Sequence, residues 1–540
     1  MAVTKNQEYT VTVEGYSGEG AGVARIDGFV VFVSGALRGE VCRILILKVL
    51  KSAAFAKVLE VLAPSPHRIT PDCPYFPRCG GCTYRHMDYA EELALKRRRV
   101  QDNLARIGGS EVEVEEILGA AETRRYRNKA QYPVSPDGRI GFYRARTHEV
   151  IDTRECLLVK PEADAAAEAV RQYMRDFRAA GYDERTGRGL LRHVYVRSNT
   201  KGESLICLLV NGKRLPHEAE LVERLRRACP KAVGIVLGEN TRRDNVILGE
   251  RYRTLWGADR LEDVLCGRVF RLSVPSFYQV NREQAERLYA KAIEYAQLTG
   301  EETVLDLYCG AGTITLALSS HAKRVLGAEI VPEAIGDARE NAARNGVENA
   351  EFFCGDASDV AKKLAQENLR PDVITVDPPR KGLAEDVVES IARMQPERVV
   401  YVSCDSATMA RDVKRFAALG YRAVRACAVD LFPRADHVET VVLLSKLNTK
   451  QHIEVKLNLD ELDLTAAESK ATYEEIKEYV LEHTGLKVSH LYIAQVKQKY
   501  GIIERENYNK PKSENSRQPK CPLEKEAAIT EALKHFGMIS

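Results

Sequence analysis

The chain has 540 residues, of which 44% are hydrophobic and 29% are charged, so it is long enough for about three to four globular domains. This composition excludes a collagen-like, a disulfide-scaffold and a wholly disordered protein. The 80 lysines and arginines nearly balance the 77 aspartates and glutamates, and the net charge of +3 does not by itself indicate a nucleic-acid-binding protein.

The 13 cysteines include one tight cluster, which indicates a metal site or catalysis. Residues 1–10 are polar and lack the apolar core of a secretory signal, and no run of about 18 apolar residues occurs. We therefore expect the reducing cytoplasm, where thiols stay available as ligands and nucleophiles.

The first segment has a β-type pattern. Short β-type runs at residues 9–13, 28–33 and 40–49 are separated by glycines, which predicts a small all-β barrel over residues 5–62. Five prolines between residues 64 and 77 then form a turn-rich link, so we place a domain boundary near residue 63.

Four cysteines after this boundary could bind a metal. Cys73, Cys79 and Cys82 form a Cys-x5-Cys-Gly-Gly-Cys pattern, and Cys156 follows 74 residues later. Glycines between close cysteines let several thiolates converge, and four sulfur ligands suit either tetrahedral zinc or an iron–sulfur cluster. The spacing does not choose between these two, and buried apolar thiols are the remaining alternative.

Two basic stretches flank this region. A helical pattern over residues 91–107 carries the run Lys-Arg-Arg-Arg at 96–99. Residues 124–154 hold three acidic residues, interleaved aromatic residues and eight basic residues, which are Arg124, Arg125, Arg127, Lys129, Arg139, Arg144, Arg146 and Arg154. Cations among aromatic rings favour contact with a nucleic acid, and a solvated charged face is the alternative.

The rest of the chain divides into three parts. Residues 63–274 are predicted to form a central α+β domain, with β-type runs at 193–197, 204–210 and 232–237. Apolar strands alternate with helices up to residue 446, which predicts a doubly wound parallel sheet over residues 275–446. The extension at 447–540 is predicted to carry three short helices, at about 466–483, 488–499 and 522–536, with a flexible polar stretch at 507–520 and no function that the sequence indicates.

A glycine-rich turn follows the first strand of the α/β region. Residues 304–313 read Val-Leu-Asp-Leu-Tyr-Cys-Gly-Ala-Gly-Thr, and small residues there let a cofactor approach the backbone. The next strand ends at Glu329, which could bind ribose hydroxyls, and Asp356 after the third strand could bind an adenine amino group. This order of glycine loop and two acids is typical of methyltransferases that use S-adenosylmethionine (SAM), and NAD binding is the competing interpretation.

Two further strand ends carry reactive groups. Residues 377–382 read Asp-Pro-Pro-Arg-Lys-Gly, and the following strand ends in Ser403 and Cys404. A thiolate that adds to C6 of uracil turns C5 into a nucleophile able to accept a methyl group, and a base must then remove the C5 proton. Cys404 suits the first role, and residues 430–439 offer acids for the second.

Four motifs in order resemble the RNA uracil-5-methyltransferase family, of the TrmA and RumA type. They are residues 276–281, 377–382, 403–412 and 430–439, and the resemblance runs from about residue 8 to residue 444. It implies a class I Rossmann-like methyltransferase domain, a TRAM-type RNA-binding barrel resembling an OB fold, and a central domain bearing a 4Fe-4S cluster. The barrel and the cluster together resemble the 23S rRNA branch, also called RlmD or RumA.

The resemblance also assigns functional roles to individual residues of this chain that stand at the matching positions of the motifs. The resemblance assigns the nucleophile to Cys404 and the base to Glu439. It assigns the SAM contacts to Gln279, Tyr308, Thr313, Glu329, Asp356 and Asp377. It assigns the four cluster ligands to Cys73, Cys79, Cys82 and Cys156, and it is this resemblance, not the spacing, that selects iron over zinc.

The chain departs from the family pattern at three places. Residues 403–406 read Ser-Cys-Asp-Ser instead of the usual Ser-Cys-Asn-Pro. Residues 433–435 read Pro-Arg-Ala, where the family usually has Gln, His or Tyr and then Ser or Thr after the proline. Thr313 stands where some members carry asparagine. Neither of the first two changes touches the nucleophile or the base.

We therefore predict a cytoplasmic, monomeric enzyme that uses SAM to make 5-methyluridine in 23S rRNA. The target uridine should be unpaired or flipped out, because C5 and C6 are shielded in a stacked helix. The alternatives are a tRNA or dual-site rRNA uracil-5-methyltransferase and a catalytically idle RNA-binding assembly factor.

Overall fold

A computed structural model describes residues 3–447, 473–500, 521–536 and 538–539. The chain forms two compact units, Met1–Thr449 and Lys450–Ser540, and each is described by itself. None of the helices in the described ranges combines the length and apolarity of a membrane span.

The first unit begins with a closed five-stranded barrel in the order β1-β2-β3-β5-β4. Its strands are β1 (Glu8–Tyr16), β2 (Gly22–Ile26), β3 (Phe29–Ser34), β4 (Val41–Val49) and β5 (Ala53–Ala63). Alternate residues point inward, so Val31 and Val33 of β3 and Ile44 and Ile46 of β4 are buried in its core. The predicted β-barrel is thus confirmed.

A helix and four short strands follow the barrel. They are α1 (Tyr89–Arg106), β6 (Val114–Leu118), β7 (Lys129–Pro133), β8 (Gly141–Tyr143) and β9 (Val150–Asp152). Asp88 caps α1, because its carboxylate accepts the amide N–H of Glu91 at 2.8 Å. Strand β6 does not pair with its neighbours in the sequence and instead joins the edge of the eight-stranded sheet described below.

The central part is built on a five-stranded sheet in the order β13-β12-β11-β10-β7. Its further elements are α2 (Pro161–Phe177), β10 (Leu191–Ser198), β11 (Ser204–Val210), α3 (Glu218–Ala228), β12 (Ala232–Glu239) and β13 (Arg251–Gly257). A hairpin of β14 (Leu261–Leu265) and β15 (Arg268–Leu272) leads into the last part of the unit.

The last part is an eight-stranded sheet in the order β18-β17-β16-β19-β20-β22-β21-β6. Its elements are α4 (Arg282–Ala296), β16 (Thr303–Leu307), α5 (Thr313–Leu318), β17 (Arg324–Glu329), α6 (Pro332–Arg344), β18 (Ala350–Cys354), α7 (Ala357–Gln366), β19 (Val373–Val376), α8 (Glu385–Met394), β20 (Arg398–Ser403), α9 (Ser406–Ala418), β21 (Tyr421–Val429) and β22 (Glu439–Lys446). Strands β16 to β20 pair in parallel as predicted, and β6 pairs in parallel with β21, whereas β22 runs antiparallel to both of its neighbours.

Apolar side chains cover both faces of this sheet. Leu305 and Val399 belong to the core on one face, and Val304 and Val400 belong to the core on the other. Because β16 and β20 are buried on both faces, their sequences are continuous apolar runs. The carboxyl ends of β16, β17, β19 and β20 therefore meet at one edge.

The second unit contains α10 (Tyr473–Thr484), α11 (His490–Lys499) and α12 (Leu523–His535), which pack around a small core of their own. Val480, Ile493 and Ile529 are among its buried residues. Three helices are predicted here, and α11 and α12 lie within two residues of their predicted positions. The first predicted helix begins at about residue 466, and residues 466–472 lie outside the described residues. The stretch at 507–520, predicted to be flexible, lies outside the described residues.

Candidate active site

A cleft lies at the carboxyl edge of the parallel strands and encloses a cavity of about 890 Å³. The structure brings together here all eight residues to which the sequence assigns catalysis or SAM binding. They are Gln279, Tyr308, Thr313, Glu329, Asp356, Asp377, Cys404 and Glu439. The predicted meeting of cofactor residues and reactive residues at this edge agrees with the rule for open α/β sheets.

The turn between β16 and α5 has the shape that its glycines permit. Gly312 adopts a left-handed conformation with φ +82°. A Cβ atom there would lie 3.2 Å from the Cβ of Ala338 and 3.3 Å from the ring of Phe352, so a larger residue would push α5 away from its neighbours. Tyr308 is also left-handed, with φ +69°, where a side chain costs conformational energy.

Acidic groups fix the shape of this edge. The Glu329 carboxylate accepts the backbone N–H of Gly310 at 3.2 Å and of Val331 at 3.0 Å, which orients it toward the cleft. Asp356 caps α7 by accepting the N–H of Ser358 at 2.9 Å. The hydroxyl of Thr313 lies 3.0 Å from the hydroxyl of Tyr289.

A buried carboxyl group supports the cleft from below. Asp306 is fully buried and accepts hydrogen bonds from the hydroxyls of Thr315 at 2.6 Å and Thr375 at 2.8 Å. Burial raises the pKa of Asp306 to about 6 despite these bonds. Its charge in turn acts on Asp377 one strand away.

Asp377, Glu439 and Cys404 form an electrostatically linked group. The pKa of Asp377 is raised to about 7, mainly because the group is buried and secondly because the charge of Asp306 is nearby. The pKa of Glu439 is raised to about 8, mainly because the group is buried and secondly because of the charge of Asp377. Among the described residues none donates a hydrogen bond to the Glu439 carboxyl group.

The Cys404 thiol shares this environment. Burial raises its pKa to about 11, and the charges of Glu439 and Asp377 act in the same direction. Arg380 opposes them, because its positive charge favours both the thiolate and the Glu439 carboxylate. The site therefore holds a half-buried thiol and a buried carboxyl group whose charges affect each other.

A loop between β21 and β22 covers one side of the cleft through Phe432, Ala435, Asp436 and His437. The structure makes Asp430, one of the acids in this segment, an unsuitable base. Asp430 is fully buried, and its carboxylate accepts hydrogen bonds from Lys96 Nζ at 2.7 Å and from the Tyr89 hydroxyl at 2.7 Å.

The four predicted cluster cysteines line a second cavity of about 220 Å³. Their thiols are close enough that charge on Cys73 and Cys156 raises the pKa of Cys79, although burial is the larger cause. Within the described ranges, no three histidine, cysteine, aspartate or glutamate side chains are grouped as a single metal ion requires.

Both basic stretches include exposed cations, which are Arg97, Arg98, Arg124, Arg144, Arg146 and Arg154. Lys96 is fully buried and pairs with Glu92 at 2.8 Å and with Asp430 at 2.7 Å. Arg97 donates to the carbonyl of Val114, and Arg99 donates to the carbonyl of Gly18. The predicted contact with a nucleic acid was therefore wrong for Lys96, whose charge is neutralised inside the protein, and it stays a prediction for the three arginines at 97–99.

The second stretch is likewise engaged by the protein. Six of its eight cations lie within 4 Å of a carboxylate, and they are Arg124, Arg125, Arg139, Arg144, Arg146 and Arg154. Among the described residues, Arg127 and Lys129 form no such pair. Both line the cysteine cavity, and Arg127 also lines the cleft.

Some residues of the cleft were not assigned from the sequence. Arg380 and His437 lie inside quoted motifs, so their positions could have been noted. Gly80, Gly81 and Thr83 reach the cleft from the cysteine segment, and Phe277 reaches it from before α4. No local pattern connects these segments to the sheet edge.

The sheet order and this cleft define a methyltransferase fold, and comparison with known proteins gives the family. The model of the tRNA (uracil-5-)-methyltransferase family matches residues 88–447, and the TRAM domain model matches residues 2–59. The chain belongs to the tRNA (uracil-5-)-methyltransferase family and carries an N-terminal TRAM domain. The family resemblance predicted from the motifs is confirmed.

Individual relatives agree with this assignment. An uncharacterized RNA methyltransferase of Clostridium tetani is 41% identical over 84% of this chain and 99% of its own length. Another from Halalkalibacterium halodurans is 44% identical over 83% of this chain and 98% of its own length. The crystal structure of Pyrococcus abyssi tRNA (uracil-54, C5)-methyltransferase in complex with S-adenosyl-L-homocysteine superposes with a TM-score of 0.66 and 27% identity, over 81% of this chain and 99% of that one.

Proposed function

We propose that this protein methylates C5 of a specific uridine in 23S rRNA, with SAM as methyl donor. The observation that carries the proposal is the presence of Cys404 and Glu439 in the same cleft as the six residues assigned to the cofactor. The mechanism below follows from their positions and charges.

Cys404 would act first as the nucleophile. Its thiolate adds to C6 of the uracil ring, and the electrons of the C5–C6 bond move toward C5 and O4. The high pKa of this buried thiol means that little thiolate exists near neutral pH in the free protein. Arg380 is the cation that favours the thiolate, and a bound substrate would have to supply the remaining stabilisation.

Glu439 would act second as the base. Once C5 carries the new methyl group, the Glu439 carboxylate removes the C5 proton, the C5–C6 double bond reforms, and the bond between C6 and Sγ of Cys404 breaks. A buried carboxylate without hydrogen-bond donors is a stronger base than an exposed one. The raised pKa of Glu439 therefore suits this role.

The cleft fits SAM at the end assigned to the nucleoside. Glu329 presents its carboxylate beside Gly310 and Val331, and the tight turn at Gly312 leaves room at the backbone. SAM supplies an electrophilic methyl group when bound. The chain's own contribution is to hold the donor at the edge of the sheet, next to Cys404.

We also propose a 4Fe-4S cluster bound by Cys73, Cys79, Cys82 and Cys156, with a structural or RNA-binding role. The four thiols line one cavity of about 220 Å³, so they can all serve one centre, and the family resemblance selects a 4Fe-4S cluster over zinc. Four thiolates on such a cluster leave a net negative charge, which suits the cations that line the same cavity.

Arg85 is the clearest of these cations. Its Nε donates to Sγ of Cys82 at 3.3 Å, and its Nη1 pairs with Asp72 at 2.5 Å. Its Nη2 is buried and has no hydrogen-bond partner among the described residues. Arg127 and Lys129 complete the positive lining, and no carboxylate lines the cavity.

A tRNA uridine is the second candidate substrate, because the solved relative from Pyrococcus abyssi is named as a tRNA enzyme and matches 81% of this chain. The RNA-binding parts, the oligomeric state, the location in the cell and the domain boundaries are likewise proposals. The TRAM domain and the central domain would hold RNA, the protein would act as a cytoplasmic monomer, and the domains would divide at residues 62, 274 and 446.

The test is to map 5-methyluridine in cellular RNA with and without this gene. Separate digestion of 23S rRNA and tRNA, followed by mass spectrometry, should show one or more 5-methyluridines in 23S rRNA that disappear on deletion. Loss of the modification from tRNA alone would transfer the assignment to the second candidate. No change in either RNA would contradict the proposal.

A further inference from the structure

The base stands at the end of a loop that other elements hold in place. Residues 430–438 join β21 to β22 and lead directly into Glu439. Ala435 N–H bonds to the Phe432 carbonyl within this loop. Carbonyl groups of the loop also accept hydrogen bonds from residues outside it. Lys96 Nζ donates to the carbonyl of Phe432 at 3.1 Å, and the Tyr126 hydroxyl donates to the carbonyl of Pro433 at 3.0 Å.

Arg434 lies at the centre of this loop in an unusual conformation. Its φ is +70°, in the left-handed region that residues with side chains rarely occupy. Its carbonyl accepts two backbone N–H groups, from Thr83 at 2.7 Å and from Tyr84 at 3.1 Å. These donors directly follow Cys82, so the loop is attached to the cysteine segment through one atom.

The backbone N–H and the guanidinium of Arg434 contact α1 and the turn before it. Its N–H donates to the Glu92 carboxylate at 2.7 Å, and its guanidinium donates to the Met87 carbonyl at 2.9 Å. The guanidinium also lies over the ring of Tyr89, 5.5 Å from its centre, and 3.4 Å from Glu92. Only 14% of the Arg434 side chain is exposed.

We propose that Arg434 is a positioning residue for the base. It fixes the loop that carries Glu439 to the cysteine segment on one side and to α1 on the other. This inference rests on the proposed function, since it assumes that Glu439 removes the C5 proton. It also explains what stabilises the left-handed backbone at residue 434, because the carbonyl and the N–H at that position both find strong partners.

The geometry predicts that only one chemical step depends on Arg434. Cys404 follows β20, and among the described residues no hydrogen bond or ion pair joins it to Arg434, so formation of the Sγ–C6 bond should not need this arginine. Glu439 is five residues from Arg434 on the same loop, so a loosened loop displaces the base. A displacement of about 1 Å can slow a step by about 100-fold. The methylated adduct should therefore form normally and break down slowly.

The test variant is Arg434→Asn. Asparagine tolerates the left-handed conformation, so the change removes the guanidinium contacts with little added backbone strain. Arg178→Asn is the matched control, because Arg178 is also left-handed, with φ +51°, and is exposed at the end of α2. Arg434→Lys keeps a cation that can bond to one partner, and it should fall between the wild type and Arg434→Asn.

The readouts are turnover and the protein–RNA adduct on a denaturing gel, with labelled rRNA fragment and SAM. We expect Arg434→Asn to lower kcat at least tenfold, to raise the steady-state fraction of adduct several-fold, and to change the KM for RNA less than threefold. Arg178→Asn should match the wild type in all three.

Two results would overturn the inference. Adduct and turnover that fall together would show that Arg434 serves general folding, and unchanged kinetics would show that it positions nothing. Wild-type protein that forms no 5-methyluridine on any RNA would instead refute the proposed function. The two failures are therefore distinguishable.

Discussion

The guanidinium of Arg380 lies against the ring of His437, with Nη2 2.8 Å from Nε2 of the imidazole. A guanidinium can only donate, so this ring nitrogen accepts and the imidazole is neutral. Burial lowers the pKa of His437, and Arg380 contributes in the same direction. The contact joins the Asp-Pro-Pro-Arg loop to the loop at residues 430–438 that leads into Glu439, and both residues line the cleft.

The pH dependence of the reaction should follow the nucleophile and the base. Both Cys404, with a pKa of about 11, and Glu439, with a pKa of about 8, must lose a proton before they act. We therefore expect kcat/KM to rise steadily between pH 6.5 and pH 9, measured with saturating SAM. A maximum below pH 7 would mean that the active forms are not the deprotonated ones.

Removal of the Arg380 charge should shift this profile. Arg380 lowers the pKa of both Cys404 and Glu439, so Arg380→Gln should raise both and move the rising limb to higher pH. At pH 7.5 we expect a loss of roughly tenfold in kcat/KM, about 1.4 kcal/mol. Lys414→Gln on α9 is the control for the loss of one exposed cation. A loss that is the same at every pH would contradict the electrostatic explanation.

Glu439→Gln should stabilise the protein in a pH-dependent way. In the unfolded chain a glutamate loses its proton near pH 4.5, whereas Glu439 in the fold keeps its proton up to about pH 8. Stability contributed by the neutral buried group is therefore fully present below pH 4.5 and is lost as the pH rises through about 8.

Glutamine stays neutral, so the gain in unfolding free energy should grow from below about 1 kcal/mol at pH 5 to about 4 to 5 kcal/mol at pH 8.5, because each pKa unit corresponds to about 1.4 kcal/mol. Thermal unfolding at several pH values measures this gain, with the exposed Glu348→Gln as control. An equal change in Tm at pH 5 and pH 8.5 would show that Glu439 is not protonated in the fold. The same variant should accumulate the protein–RNA adduct, because it cannot remove the C5 proton.

The cysteine cavity predicts a coloured protein. Protein purified without oxygen should be brown, absorb broadly near 400 nm (an approximate value for such clusters), and contain about four iron and four sulfide per chain. Cys79→Ala should lower the iron content severalfold, whereas Cys354→Ala, at an exposed strand end, should not. Colourless wild-type protein with one zinc per chain would contradict the cluster. The methyl transfer involves no electron, so a need for the reduced cluster would contradict a structural role.

The sequence predicts the parts of this fold that have local signals. The apolar strands β16 and β20, the turn at Gly312 and the reactive strand ends were all placed correctly, because each depends on residues close together in the chain. Strand β6 was missed, since its partner β21 lies about 310 residues away and short edge strands leave little pattern. Lys96 was misread for the same reason, because its partner Asp430 is 334 residues away along the chain.

The roles of individual site residues remain predictions that rest on the family motifs, and the structure adds their environment. No sequence pattern shows that Glu439 is buried without donors or that Arg434 attaches its loop to the cysteine segment. Such properties depend on which distant segments pack together. They can be read only from the fold.

The most direct test of the account is the product formed by the purified protein. The wild type and Cys404→Ala should each be incubated with unmodified 23S rRNA and with SAM that carries an isotope-labelled methyl group, and the digested RNA should be examined by mass spectrometry. The account predicts labelled 5-methyluridine with the wild type and none with Cys404→Ala, although both proteins bind the RNA. Labelled 5-methyluridine from Cys404→Ala, or a labelled methyl group at any atom other than C5 of uridine, would contradict it.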